Sequence, residues 1–111
     1  FDVYKVVKNS GLYGTVRVPP VKVDVSTLSL DVGHIAERNH GVTLEEARSF
    51  IEDAVFSLKR RHWTGETFVN YYSQSGAAYV KTSEPVIRTA FKKDEFDPKT
   101  KKVMEELNNG K

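Results

Sequence analysis

Between Thr43 and Arg61 apolar side chains recur at alternating intervals of three and four, at Leu44, Ala47, Ile51, Ala54 and Leu58. That spacing predicts an amphipathic helix over residues 44–61. Thr43 and Glu46 have the spacing of a capping box at its start, and Glu45, Arg48, Glu52 and Lys59 fall on the solvated side. Burial of Phe50, Ile51, Val55 and Leu58 is expected to contribute roughly 1.5–3 kcal/mol each before chain entropy is counted. Three later runs are rich in β-branched and aromatic residues: 67–73 (TFVNYYS), 77–81 (AAYVK) and 86–91 (VIRTAF). They predict an antiparallel meander, with Gln74-Ser75-Gly76 as a hairpin loop in which Gly76 supplies a positive φ, and Ser83-Glu84-Pro85 as the second break. Asp97-Pro98 opens a last helix carrying Val103, Met104 and Leu107 and ending at Asn109-Gly110.

The N-terminal part is less regular. Residues 3–8 (VYKVVK) and 13–18 (YGTVRV) read as a hairpin about Asn9-Ser10-Gly11, closed by Pro19-Pro20. Residues 21–29 read as connection, and a short helix over about 30–38 would place His34 and Arg38 four residues apart on one face. The sum is a single α+β domain over residues 1–111, without repeats or a linker long enough to divide it.

Composition narrows the classes of function. The 111 residues contain twelve aromatic side chains and no cysteine, which excludes a disulfide framework, a thiolate nucleophile and a cysteine-based zinc site. No apolar run approaches the ~20 residues of a membrane-spanning helix. The chain begins at Phe1 and has no signal-peptide pattern, so it is expected to be an excised piece of a longer protein, which the resemblance given below places at that protein's C-terminus. Residues 1–56 carry a net charge of −2 and residues 57–111 of +4, a balance that suits a polyanionic partner and equally a solvated helix face.

The candidate chemistry rests on few residues. His34, His40 and His62 lack a metal-binding interval, and no metal or cofactor is expected. A histidine beside an arginine can transfer protons while the guanidinium stabilises an anion, although a lone histidine is as readily a capping residue. Arg88 interrupts an apolar strand and calls either for a carboxylate, with Glu66 or Glu84 in reach, or for an anionic ligand. On a regular strand Val86, Arg88 and Ala90 share one face and Ile87, Thr89 and Phe91 the other, so Arg88 and Thr89 reach one site only if a bulge or strand end re-aims one of them. Tyr71 and Tyr72 are either core-rim side chains or a base-stacking platform. Lys59-Arg60-Arg61 favours a helix C-terminus or touches phosphates. Walker, nucleophile-elbow and dinucleotide motifs are absent from the sequence.

Taken in order, the segments VPPVKVDVSTLSLDVGHI, ERNHGVTLEEARSFIEDA, NYYSQSGAAYV and VIRTAFKKDEFD resemble the nuclease domains of the barnase, EndoU, colicin and RelE superfamily, in its phage- and polymorphic-toxin-associated branch. The resemblance covers residues 19–107. It implies helices packed on one face of a small antiparallel sheet, with an RNA cleft on the other. It further implies a toxin domain that cuts RNA, tRNA among the substrates, without metal or cofactor, by directing a ribose 2′-OH at the adjacent phosphate. His34, Arg38, Tyr72, Arg88 and Thr89 supply the residue types for catalysis, and His40, Lys59, Tyr71 and Lys92 for RNA binding. The resemblance also implies a cognate immunity protein, delivery as part of a larger secreted protein, and action in the target-cell cytoplasm. A catalytically silent RNA-binding or phage-structural module is the alternative, followed by a small protein-interaction domain.

Overall fold

The computed structural model describes residues 2–30 and 41–109. In chain order these form helix α1 (Val3–Asn9), strand β1 (Thr15–Arg17), a 3-10 turn (Val25–Thr27), β2 (Ser29–Leu30), α2 (Leu44–Glu52), β3 (Phe56–Arg61), β4 (Thr67–Tyr72), β5 (Gly76–Lys81), β6 (Val86–Lys92), a second 3-10 turn (Lys93–Glu95) and α3 (Pro98–Asn109). The six strands make one sheet in the order β1-β3-β4-β5-β6-β2, antiparallel throughout except for the short β2–β6 pairing. The expected α+β class, the meander and the last helix are therefore present. No helix among the described residues is long and apolar enough to cross a membrane.

Alternation along the strands divides the core in two. Val69 and Tyr71 of β4, Ala78 and Val80 of β5, and Ile87 and Ala90 of β6 pack with Ala47, Phe50 and Ile51 of α2. The opposite side chains, Phe56, Leu58, Tyr72 and Ala77, pack with Val7 of α1 and with Val103, Met104 and Leu107 of α3. Helices thus lie on both faces, where the resemblance implied one. On the second face, among the described residues, they pack at the end nearest the β4–β5 turn and leave the strand ends beyond them uncovered.

Two local expectations are corrected, and a third lies almost wholly outside the described residues. Residues 3–8 are helical, because the Asp2 side chain accepts from the Lys5 N–H as an N-cap and Val3, Val6 and Val7 form a stripe against the second core. Packing outweighs the β preference of their side chains. The helix expected over 44–61 carries its capping box as read but ends at Glu52, with Asp53 as C-cap. Its last turns are instead β3, which pairs with both β1 and β4, so Leu58 belongs to the second core and Lys59 sits on a strand. The helix expected at about 30–38 lies outside the described residues except for Leu30, which is in β2.

The β4–β5 turn is closed by Ser73, whose Oγ donates to the Gly76 carbonyl at 2.9 Å and accepts from the Ser75 and Gly76 N–H groups. Gly76 is not among the glycines with positive φ. It is needed for space: a Cβ there would lie 2.5 Å from the Phe50 ring and 2.6 Å from the Phe91 carbonyl oxygen. Gly76→Ala is expected to destabilise the domain by about 1–3 kcal/mol in urea unfolding, and an unchanged midpoint would show that Phe50 yields without cost.

Candidate nucleic-acid cleft

The open end of the second face is built by the two turns that leave it. The β3–β4 turn is closed by the His62 N–H donating to the Glu66 carbonyl and the Gly65 N–H donating to the His62 carbonyl, both at 2.8 Å, with Gly65 at φ +92°. That pairing sets His62 and Glu66 opposite each other, two residues beyond the Arg60–Phe68 pair and so on the same face. Because side chains alternate, Arg60, His62, Glu66, Phe68 and Asn70 all point to this face. Register continues the surface through Tyr79 and Lys81 on β5 to Thr89 on β6.

Arg88 joins them through a bulge. Tyr79 pairs with Thr89 and the next residue, Val80, pairs with Ile87, so Arg88 is the extra residue. A bulge re-aims the side chains on either side of it. Here Ile87 and Ala90 both face α2 while Phe91 packs in the second core, which departs from the regular alternation expected of this strand. Arg88 and Thr89 together line one cleft of about 330 Å³ with Arg60, His62, Phe68, Asn70 and Tyr79. The guanidinium of Arg88 lies over the Phe68 ring, 5.7 Å from its centroid, and the His62 ring meets the same phenyl edge-on at 6.3 Å.

Charge is concentrated around Glu66. Lys81 Nζ contacts the carboxylates of Glu66 and Glu84 at 3.0 Å each, so both acids considered for Arg88 meet Lys81. The Lys81 hydrogen bond lowers the Glu66 pKa below the usual glutamate value, and the charges of Lys81, Arg88 and His62 act in the same direction. Glu66 is a carboxylate at neutral pH. His62 Nδ1 sits 3.0 Å from the Thr64 hydroxyl and accepts from the Thr64 N–H at 3.4 Å. The Thr64 hydroxyl can accept from that ring nitrogen or donate to it, according to the tautomer. Asn70 is only 2% exposed, and its carboxamide oxygen has no hydrogen-bond partner among the described residues.

The residues expected at the site are distributed unequally. Arg88 and Thr89 come together. His34, Arg38 and His40 lie outside the described residues. Tyr72 is buried in the second core, stacked on Phe56 at 5.0 Å, and its hydroxyl lies 3.1 Å from that of Tyr79, so it reaches the cleft only through Tyr79. Tyr71 is turned to the other core, where its hydroxyl donates to the Val21 carbonyl at 2.7 Å; it offers no surface to RNA because β4 is covered on that face. Lys92 meets Glu46 of α2 at 3.7 Å, away from the cleft, and Lys59 is exposed at the rim beside Tyr13 and Arg61. Arg60, His62, Glu66, Asn70 and Tyr79 were not among the expected site residues. Reading 56–61 as a strand would have found them, since every second residue across β3 and β4 then falls on one face. Among the described residues no three His, Cys, Asp or Glu side chains converge as a metal site requires.

Comparisons with protein-family models, with curated proteins and with solved structures gave no match to this chain.

Two measurements check the burial described here. Burial pushes the Tyr71 phenol up to about 12 and raises Tyr72 further. Folding therefore favours the protonated phenols, and their contribution is complete below the ordinary tyrosine value of about 10 and lost as pH rises through 10 towards 12. The urea midpoint is expected to fall across that range. Tyr71→Phe should lower it by about 1 kcal/mol at pH 7 through the lost hydrogen bond and flatten its decline above pH 10; an equally steep decline would assign the effect elsewhere. Asn70→Leu removes the buried, unpartnered oxygen and is expected to raise stability by about 1 kcal/mol, measured by urea unfolding. A loss above about 2 kcal/mol would show that the amide is structural.

Proposed function

We propose that the domain is a metal-independent endoribonuclease, acting as a toxin domain held in check by a protein inhibitor. The observation that carries this reading is the Glu66–His62 pair, a carboxylate and an imidazole set opposite each other and faced by Arg60, Lys81 and Arg88. Internal attack by a ribose 2′-OH needs a base at that hydroxyl, an acid at the departing 5′-oxygen and cations around the phosphorane. Glu66, ionised by its cationic neighbours, takes the 2′-OH proton. As an imidazolium, His62 gives its Nε2 proton to the leaving oxygen and is left a neutral imidazole. Arg60 and Arg88 hold the phosphate, whose added charge is spread onto their planar donors, and Thr89 contributes a hydroxyl to the same group. His34 and Arg38 stay in the proposal as second candidates for proton transfer and phosphate contact. The cationic surface also suits an acidic inhibitor steered to it electrostatically.

The test uses an RNA substrate with a single 2′-deoxy substitution at the cut site, in EDTA. Wild-type protein is expected to cut the all-ribose strand, leave a 2′,3′-cyclic phosphate and fail on the deoxy strand. His62→Ala and Glu66→Gln are each expected to reduce the rate by about 10²–10⁴ with an unchanged circular dichroism spectrum. Undiminished cutting of the deoxy strand, or loss of activity in EDTA with rescue by Mg²⁺, would overturn the mechanism. Full activity in both variants, together with loss in His34→Ala, would return the chemistry to His34. Salt-dependent RNA binding without any cleavage would favour the silent RNA-binding module.

A further inference from the structure

Beside the cleft, over the β1–β3 edge of the sheet, lies a surface that the proposed chemistry does not use. Trp63 is 89% exposed and Tyr13 is 72% exposed, the two largest solvent-facing aromatic surfaces among the described residues. Rings left this open contribute little to folding, because most of their apolar area stays in water. Both are held in place by polar neighbours. The Arg60 guanidinium lies over the Tyr13 ring, 5.3 Å from its centroid, and the Trp63 ring lies 5.4 Å from His62. Gly14 makes the first arrangement sterically accessible: at φ +128° it passes so close to β3 that a Cβ would stand 3.1 Å from Arg60 Cγ and 3.1 Å from the Lys59 carbonyl oxygen.

The surface is continuous with the cleft. Two depressions of about 340 and 380 Å³ continue the cleft, the first lined by Tyr13, Arg60, Arg61, His62, Trp63 and Phe68, the second by Tyr13, Gly14, Thr15, Lys59, Arg60 and Arg61. The first shares Arg60, His62 and Phe68 with the cleft, and the second joins it through Tyr13, Arg60 and Arg61. Among the described residues neither depression is lined by a carboxylate. A row of cations interleaved with exposed ring faces matches a strand with alternating phosphates and bases, since every base has a face to stack and stacking tolerates any sequence.

We propose that Tyr13, Lys59, Arg60, Arg61 and Trp63 form a binding track for single-stranded RNA, receiving the nucleotides that flank the one held in the cleft. The inference rests on the ribonuclease reading for what the cleft holds, and it names the substrate class: an unpaired strand of several nucleotides. A duplex keeps its base faces stacked inside and offers none of them to Tyr13 or Trp63. An acidic protein would meet the same cations without using the ring faces.

Trp63 is the single tryptophan of the chain, so its fluorescence reports on the track directly. The probe is an eight-nucleotide 2′-O-methyl oligouridylate, which lacks the free 2′-OH and binds without being cut. The same sequence in a duplex and polyglutamate of matching charge are the comparison arms. The single strand is expected to quench Trp63. Tyr13→Ala and Trp63→Ala, the latter followed by anisotropy of a labelled probe, are each expected to weaken its binding about 10-fold or more. The duplex and polyglutamate are expected to bind more weakly and without that dependence on the rings. Both residues are exposed, so the variants should keep the wild-type circular dichroism spectrum. Equal binding of single strand and duplex, wild-type affinity in both variants, or polyglutamate competing as well as the oligonucleotide would overturn the track. Because the probe is uncleavable, a domain that binds it as described yet cuts no RNA refutes the nuclease reading and leaves the track standing.

Discussion

The two central strands are packed on both faces, and the rest of the molecule follows from that constraint. Along β4, Val69 and Tyr71 must fill one core while Tyr72 fills the other, so a slip of one residue would exchange the two sets. Register is therefore fixed by packing at the end where the terminal helices sit. The same register, continued past the helices, aligns Asn70, Tyr79 and Thr89 across three strands, and all three line the cleft. The positions of the charged side chains are set by apolar contacts made at the other end of the same strands.

Those charges are arranged in a way that makes stability and chemistry hard to separate. Lys81 is only 9% exposed, and a cation withdrawn from water to that degree needs partners, which it finds in Glu66 and Glu84. The pairing that compensates Lys81 also keeps Glu66 ionised and oriented. Arg88 adds to the same field through a bulge that sets two consecutive residues of β6 on the cleft side. The bulge interrupts the ladder locally, as bulges beside functional surfaces do.

How much of this the sequence disclosed depends on how many elements each residue must satisfy. The capping box of Thr43 and Glu46 and the proline opening of α3 are local signals, and both stand where they were read. Leu58 fits a helical stripe begun at Leu44 and equally an alternation begun at Phe56; pairing with β1 and β4 decides between them, and that information lies 42 residues upstream and 12 downstream. Missing β3 concealed the alternation of Arg60 and His62, and with it most of the cleft. Arg88 and Thr89 were legible as chemistry but not as neighbours, since a bulge is defined by the partner strand and leaves no mark of its own in VIRTAF. The NYYS run shows the converse: its tyrosines look like a platform in sequence, and two-sided burial makes them structural.

One connection has a bearing on how this architecture comes together. Strand β2 is two residues long and joins the sheet in parallel, Ser29 with Val86 and Leu30 with Ile87, so its partners come from opposite halves of the chain. Hairpins such as β3–β4 and β4–β5 close over a few residues, whereas this contact requires nearly the whole intervening chain to be in place first. It is among the last pairings to form and, with so few hydrogen bonds, among the first to release. Ile87 directly precedes the bulged Arg88, so the arginine's edge of the cleft adjoins the pairing with the largest loop-closure cost in the sheet.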